Sequence, residues 1–143
     1  MAEGGFRERQ REKVRGRILE AIGAELQPGE ELEEWIVAQV RPRLFLGMEA
    51  LFGALVMFSI RQYYVAATTR RLFALRLSKR SAKRLTVELA EPFEHLRIER
   101  EKSGPLWTQV WVRRMSPDML LRFRIVRTEQ SRAERVFASL PRG

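Results

Sequence analysis

Residues 63–77 read YYVAATTRRLFALRL, and this stretch decides how the rest of the chain is interpreted. Apolar side chains run from Tyr63 to Ala67, a polar turn of two threonines and two arginines follows, and alternation resumes at Leu72. Two such runs around a short polar turn are typical of a β-hairpin. Its second strand presents two sets of side chains on opposite sides: Phe73, Leu75 and Leu77 on one, and Ala74 and Arg76 on the other.

The same alternation recurs before and after this hairpin. It appears at residues 35–40, 85–89, 96–99, 107–112 and 119–125, which brings the prediction to seven strands. Many short strands separated by turns favour an antiparallel sandwich or barrel. In the last strand, Arg122 and Arg124 lie opposite the apolar residues. Trp107 and Trp111 share one strand face, and we expect them to pack in the core, as large aromatic side chains usually do.

Helices are predicted at both ends of the chain. Residues 6–26 carry apolar side chains four apart, which indicates an amphipathic helix ended by Pro28 and Gly29. Near the C-terminus, Ser131 and Glu134 match a capping box at the start of a second helix. One face of that helix is apolar and consists of Ala133, Val136, Phe137 and Leu140. The fold class is therefore mainly β (α+β), with an N-terminal helix over residues 1–29 and a domain over residues 30–143.

Within that domain, residues 44–60, LFLGMEALFGALVMFSI, form an apolar insert with Glu49 as its one charge. A helix of this length reaches about 25 Å, somewhat short of the roughly 30 Å hydrocarbon core of a bilayer. Three interpretations stay open: a membrane span, an interfacial or partner-binding helix, and a buried core helix. The predicted membrane or partner anchor consists of Leu44, Phe45, Leu51, Phe52, Leu55 and Phe58.

Positive charge is concentrated in the C-terminal half. The chain has 27 Lys and Arg against 18 Asp and Glu, a net charge of +9, and residues 67–143 hold 18 of these cations and 8 of the acids. The densest run contains seven cations and no acid, so it is the candidate site for an anionic ligand. These residues are Arg70, Arg71, Arg76, Lys79, Arg80, Lys83 and Arg84. A solubilising edge hairpin is the alternative interpretation.

The composition argues against catalysis. There is no cysteine, and His95 and Asp118 are the one histidine and the one aspartate. Triads that need a His–Asp pair and zinc sites built from Cys and His are thereby disfavoured, and no metal, cofactor or small-molecule substrate is expected. We expect His95 to form a surface hydrogen bond. No signal-peptide pattern opens the chain, so the expected location is cytoplasmic rather than secreted, with peripheral or single-pass membrane association.

One local motif resembles a known family. Residues 65–75, VAATTRRLFAL, are similar to the "A-L-T-x-R-R-L" hairpin of bacterial pleckstrin-homology-like (PH-like) domains. In that family an Asp usually precedes the two arginines. Thr69 stands there in this chain, so we expect its hydroxyl to cap the turn. The resemblance implies a seven-stranded antiparallel barrel or sandwich with a C-terminal helix over one open end, and a scaffold without catalytic chemistry.

These observations together predict a non-enzymatic module. Its expected partner is an anionic lipid surface, bound through the hairpin 70–84 and the apolar segment 44–60, or else a protein. Two alternatives remain. One is a basic β-domain that binds nucleic acid, and the other is a homo-oligomeric adaptor that buries residues 44–60.

Overall fold

Seven strands and two α-helices make up the described part of the chain. The computed structural model describes residues 2–42, 61–77, 85–115 and 118–142. In chain order the elements are α1 (Ala2–Ile22), β1 (Leu32–Pro42), β2 (Arg61–Thr68), β3 (Arg71–Leu77), β4 (Leu85–Pro92), β5 (Leu96–Ser103), β6 (Trp107–Met115), β7 (Asp118–Val126) and α2 (Gln130–Phe137). Short 3-10 turns precede β5 and α2. The mainly β architecture with a helix near each end is confirmed.

The strands form one antiparallel sheet in the order β4-β3-β2-β1-β7-β6-β5. Strand β1 is the junction, because it pairs along most of its length with β2 and through Gln39–Pro42 with β7. The two neighbours of β1 in the sheet are therefore the next strand in the chain, β2, and the last one, β7. Side chains from both halves of the sheet meet in a shared core, as in a sandwich or barrel.

The inner core lies between the two halves of the sheet and is closed by α2. Phe123 and Ile125 of β7 are fully buried there, beside Val65 of β2 and Val112 of β6. The predicted apolar face of α2 packs into this core, and the rings of Phe123 and Phe137 lie 5.3 Å apart. Burial of this face fixes α2 against the sheet, which confirms the prediction from its periodicity.

A second apolar cluster lies on the outer face of β1–β4, under α1. Ile18 and Ile22 are fully buried against Trp35, Tyr64 and Phe73. The rings of Trp35 and Tyr64 meet edge to face at 5.6 Å. Strands β2 and β3 are therefore covered on both faces, which explains why their apolar residues run almost without interruption.

Polar contacts also hold α1 in place. The Arg11 guanidinium carbon lies 4.1 Å from the centre of the Trp35 ring, and its Nη2 donates to Glu34 Oε1 at 2.9 Å. Glu34 Oε2 accepts from Arg135 Nε at 3.2 Å. One carboxylate thus links the N-terminal helix to the C-terminal one.

Both helices differ at one end from the prediction. α1 ends at Ile22 rather than Leu26, and the chain then turns before Gly29, whose φ is +81°. The capping box is wrong: α2 begins at Gln130, so Ser131 lies inside the helix, and no side chain caps it. The preceding 3-10 turn accounts for this, because the Gln130 N–H donates to the Arg127 carbonyl.

Several predicted features lie outside the described residues. They are the apolar insert 44–60 with its six anchor residues, and the four hairpin cations Lys79, Arg80, Lys83 and Arg84. Across residues 2–42, 61–77, 85–115 and 118–142, no helix is long and apolar enough to cross a membrane.

Candidate anion-binding sheet face

Within the described part of the chain, no second layer of apolar side chains packs on the outer face of β5–β7. On β6, Thr108, Val110 and Val112 point into the core, so the intervening residues point outward. Trp107 and Trp111 belong to this outer set and are half-buried. The prediction that they pack in the core is wrong. Within the described residues, the apolar contacts of α1 stay on β1–β4, which leaves this face without that cover.

Arginines from the neighbouring strands stack on the two tryptophans. The Arg124 guanidinium carbon lies 4.3 Å from the centre of the Trp107 ring, and that of Arg100 lies 5.0 Å from the centre of Trp111. The β6–β7 register, which pairs Gln109 with Arg124 and Trp111 with Arg122, creates this arrangement. Arg122 and Arg124 thus lie on the polar face of their strand, as predicted. Alternation does not predict Arg100 on this face, because it would set Arg100 on the inward side with Ile98. The irregularity in the β5–β6 register between these two residues turns Arg100 outward, opposite Trp111.

Most of the charge on this face is positive. Glu99 and Asp118 both accept hydrogen bonds from Arg113, which raises the pKa of that guanidinium above its usual range, Glu99 making the larger contribution. Arg100 and Lys102 are exposed, and neither forms an ion pair within the described part of the chain. The Nε of Arg124 is buried with no hydrogen-bond partner among those residues. We call this surface, made of Arg100, Lys102, Trp107, Trp111, Arg122 and Arg124, the basic sheet face.

Strand register places the end of β1 beside the β7 part of the basic sheet face. Pro42, the last residue of β1, is opposite Leu121, and Arg41 is opposite Arg122. β1 therefore ends beside the β7 residues of the face, and in sequence the apolar segment begins two residues after Pro42. Arg61, where β2 begins, is opposite Val40 at the same end of the sheet.

The connection between β3 and β4 leaves the sheet at this same end. Tyr63 near the start of β2 is opposite Arg76, and Leu77 is opposite Leu85. The strands that flank residues 78–84 thus end beside those that flank residues 43–60. Both sequence-predicted segments are attached to one end of the sheet.

The structure divides the predicted cation cluster. Arg70 and Arg71 lie where β3 begins, whereas Arg76 lies near its far end, and a seven-residue strand spans roughly 20 Å. Arg76 pairs with Glu88 at 3.1 Å, and Arg70 Nη1 donates to Gln27 Oε1 at 2.8 Å. Arg71 is mostly buried and binds Glu30. These three arginines are therefore held by the chain's own side chains.

The hydroxyl that caps the β2–β3 turn comes from Thr68 and not from Thr69. Thr68 Oγ1 accepts hydrogen bonds from the backbone N–H of Arg70 at 3.2 Å and of Arg71 at 2.9 Å. Thr69 Oγ1 instead accepts from the Glu31 N–H at 3.2 Å. A hydroxyl cap was expected, but on the wrong threonine. His95 is exposed and its Nδ1 lies 3.4 Å from Glu91 Oε2, which confirms its expected surface contact.

Comparison with known proteins identifies no relative: no family model, no curated protein and no solved structure matches this chain.

Proposed function

We propose that the chain is a non-catalytic module that associates with anionic membrane surfaces. The contact would be made by the basic sheet face together with residues 44–60 and the cations of residues 78–84. The observation that carries the proposal is the β1–β7 register, which sets Arg122 opposite Arg41, one residue before β1 ends and the apolar segment follows. On this proposal, cationic, aromatic and apolar groups form one contact surface.

We further propose that the scaffold is PH-like. The support is threefold: seven antiparallel strands, a C-terminal helix packed across the core they enclose, and the TTRRL turn between β2 and β3. The N-terminal helix and the apolar insert are additions to the minimal pattern of that family. A solved structure that can be superposed on known PH-like domains tests this part of the proposal.

The chemistry of the face suits a lipid headgroup region. Each Lys or Arg near an anionic bilayer contributes about 1 kcal/mol of attraction, and an apolar segment supplies the second signal that stable attachment requires. Tryptophan favours the membrane interface because its ring is apolar and its N–H is polar. The half-buried Trp107 and Trp111, each under an arginine, meet these conditions.

Sedimentation with lipid vesicles tests the proposal. We expect the full chain to pellet with vesicles of phosphatidylcholine and phosphatidylserine, less with phosphatidylcholine alone, and less as salt rises. Charge reversal of the face (Arg100→Glu with Arg124→Glu) and of the hairpin (Lys79, Arg80, Lys83 and Arg84 to Glu) should each weaken binding. Leu51→Glu with Leu55→Glu should remove the apolar contribution.

A matched control separates a specific face from bulk charge. Arg9 and Lys13 are exposed on α1, so Arg9→Glu with Lys13→Glu changes the net charge as much as the face variant does. We expect this control to retain vesicle binding. Equal loss in both double variants, or no binding of the unmodified chain at low salt, would overturn the proposal.

Binding of single-stranded nucleic acid is the second candidate, and the stacked Arg–Trp pairs are the observation that favours it. Such sites combine cations with aromatic rings on which bases stack. Here the guanidinium groups already lie over both rings, which leaves less ring surface for bases. A gel shift with single-stranded oligonucleotides that is salt-dependent and lost in Arg100→Glu with Arg124→Glu, without vesicle binding, would favour this function instead.

A further inference from the structure

Strand β5 is the last strand of the sheet, and most of its outer edge has no strand beside it in the described structure. The exception lies at Ile98, whose N–H donates to the Pro141 carbonyl at 2.8 Å and which forms a parallel bridge with Arg142. Gly104 N–H bonds to the Trp107 carbonyl, so the alternating ladder turns the backbone groups of Glu101 and Ser103 away from β6. Within residues 2–42, 61–77, 85–115 and 118–142 these groups have no backbone partner, so an added strand could pair with them.

A groove of about 450 Å³ lies directly beside this edge, between β5 and α2. Its floor is apolar and is formed by Val110, Ala133 and Phe137. Thr108 also lines it, and the Thr108 hydroxyl is buried without a hydrogen-bond partner among the described residues. An apolar floor next to a free strand edge can accept alternate side chains of an extended peptide.

The charge lining this groove is opposite to that of the rest of the chain. Glu101 and Glu134 contribute two carboxylates, against one guanidinium from Arg142. Arg142 is paired with Glu101, whereas Glu134 is exposed and meets no cation within the described ranges. The groove therefore offers Glu134 to a positively charged ligand.

The chain's own C-terminal residues make a contact of this kind with β5. Pro141 and Arg142 lie in a parallel strand contact beside Ile98, and the Arg142 side chain binds Glu101. This edge of β5 thus accepts an extended backbone whose arginine binds a groove carboxylate. The outer edge of β5 offers further backbone groups after Ile98, at Glu101 and Ser103.

We propose that the groove between β5 and α2 binds an extended, positively charged segment of a partner protein, which adds to β5 as a further strand. Its main chain would pair with Glu101 and Ser103. One apolar side chain would rest on Ala133 and Phe137, and a Lys or Arg would meet Glu134. The carboxylates disfavour lipid headgroups and nucleic acid at this groove.

A second copy of this chain is a poor occupant through its own β5. Two-fold antiparallel pairing that keeps side chains on matching faces would set Arg100 against Arg100, Glu101 against Glu101, or Lys102 against Lys102. Like charges directly opposite one another destabilise a sheet. These three registers are therefore disfavoured for a second copy at this edge.

Selection of random decapeptides displayed on phage, with the immobilised full chain as target, tests this proposal. We expect enriched peptides that carry net positive charge and alternate β-branched residues with polar ones. Ala138 is exposed and lines the groove, so the larger side chain of Ala138→Trp should fill it. We expect this variant to bind a synthetic copy of an enriched peptide about tenfold more weakly, which is equivalent to about 1.4 kcal/mol. Glu134→Arg should weaken binding by a similar factor, since it reverses the recognised charge.

Two controls make the outcome decisive. Ser139→Trp introduces the same side chain at an adjacent exposed position that does not line the groove, and Arg124→Glu alters the basic sheet face on β7, away from the β5 edge. Both should bind the peptide as the unmodified chain does, so this result is independent of vesicle binding. Absence of enriched peptides, peptides without positive charge, or equal binding to Ala138→Trp and Ser139→Trp would overturn the proposal.

Discussion

Glu30 and Arg71 form a buried bidentate ion pair across 41 residues of sequence. Arg71 Nη2 lies 2.7 Å from Glu30 Oε1, and its Nε lies 3.1 Å from Oε2. The same Nη2 donates to the Glu25 carbonyl at 2.6 Å, while Thr68 Oγ1 donates to Glu30. Arg71 of the TTRRL turn thus connects the segment after α1 to the β2–β3 turn.

Loss of either partner of this pair should destabilise the fold strongly. The Glu30 side chain is fully buried, so removal of one charge leaves the other uncompensated. We expect Glu30→Leu or Arg71→Leu to lower the free energy of unfolding by about 3–5 kcal/mol in urea titrations, and the double variant to cost less than the two single variants added together. The exposed pair Arg142–Glu101 is the control, and single variants there should change stability little. Equal effects at both pairs would contradict this prediction.

Stability should also fall with acid in a defined range. Hydrogen bonds from Arg71 above all, and from Thr68 and the Gln27 N–H, lower the pKa of Glu30 from 4.5 to about 2. Because the pKa is lower in the folded state, the contribution is complete above about pH 4.5 and is lost as pH falls toward 2. At about 1.36 kcal/mol per pKa unit it amounts to roughly 3 kcal/mol.

Urea titrations at a series of pH values measure this effect. Glu30→Gln cannot ionise at that position, so the difference in stability between the unmodified chain and this variant should shrink between about pH 4.5 and 2. A constant difference across this range would mean that Glu30 does not carry the acid sensitivity.

The two turn threonines should differ in importance. Thr68 is fully buried and its Oγ1 serves two backbone N–H groups, whereas Thr69 is exposed. Thr68→Val should therefore cost about 1–3 kcal/mol, the usual penalty for buried groups left without a partner. Thr69→Val should cost less in the same denaturation assay. If Thr69→Val were the more damaging change, the assignment of the cap to Thr68 would be incorrect.

Two glycines of the N-terminal region should respond in opposite directions to alanine. Gly16 lies inside α1 with open space around an added Cβ, so Gly16→Ala should stabilise the protein by about 1 kcal/mol through helix propensity. At Gly23 an added Cβ would lie 2.7 Å from the Leu19 carbonyl oxygen, so Gly23→Ala should destabilise it. Thermal unfolding followed by circular dichroism measures both, and shifts of the same sign would contradict the prediction.

Tryptophan fluorescence should report contact with a membrane. Trp107 and Trp111 are half-exposed on the basic sheet face, whereas Trp35 is 6% exposed beneath α1. Anionic vesicles should shift the emission of the unmodified chain to shorter wavelength, because the two half-buried rings enter a less polar medium. The variant Trp107→Phe with Trp111→Phe retains Trp35 and should show no shift. A shift that persists in this variant would place the contact elsewhere.

Local sequence patterns were sufficient to predict the strands and helices but not to predict which of them pack against each other. Alternation predicted all seven strands, and the spacing of Ile18 and Ile22 predicted the buried face of α1. The same alternation showed that Trp107 and Trp111 share a strand face, but it could not show which face. That choice depends on what packs there, and among the described residues α1 packs on the outer face of β1–β4 and not on that of β5–β7.

The sequence by itself determined the secondary structure, the excess of positive charge and the apolar segment, since each depends on residues near one another along the chain. Only the tertiary structure decided which arginines form internal ion pairs and which lie at the surface. Arg71 lies in the densest cation run, yet folding brings Glu30 to it and makes it a structural residue. Arg124 lies in a less basic stretch, yet strand pairing stacks it on Trp107 at the surface. The two arginines differ because strand register and layer packing give each of them a different partner, and that partner is distant in the sequence.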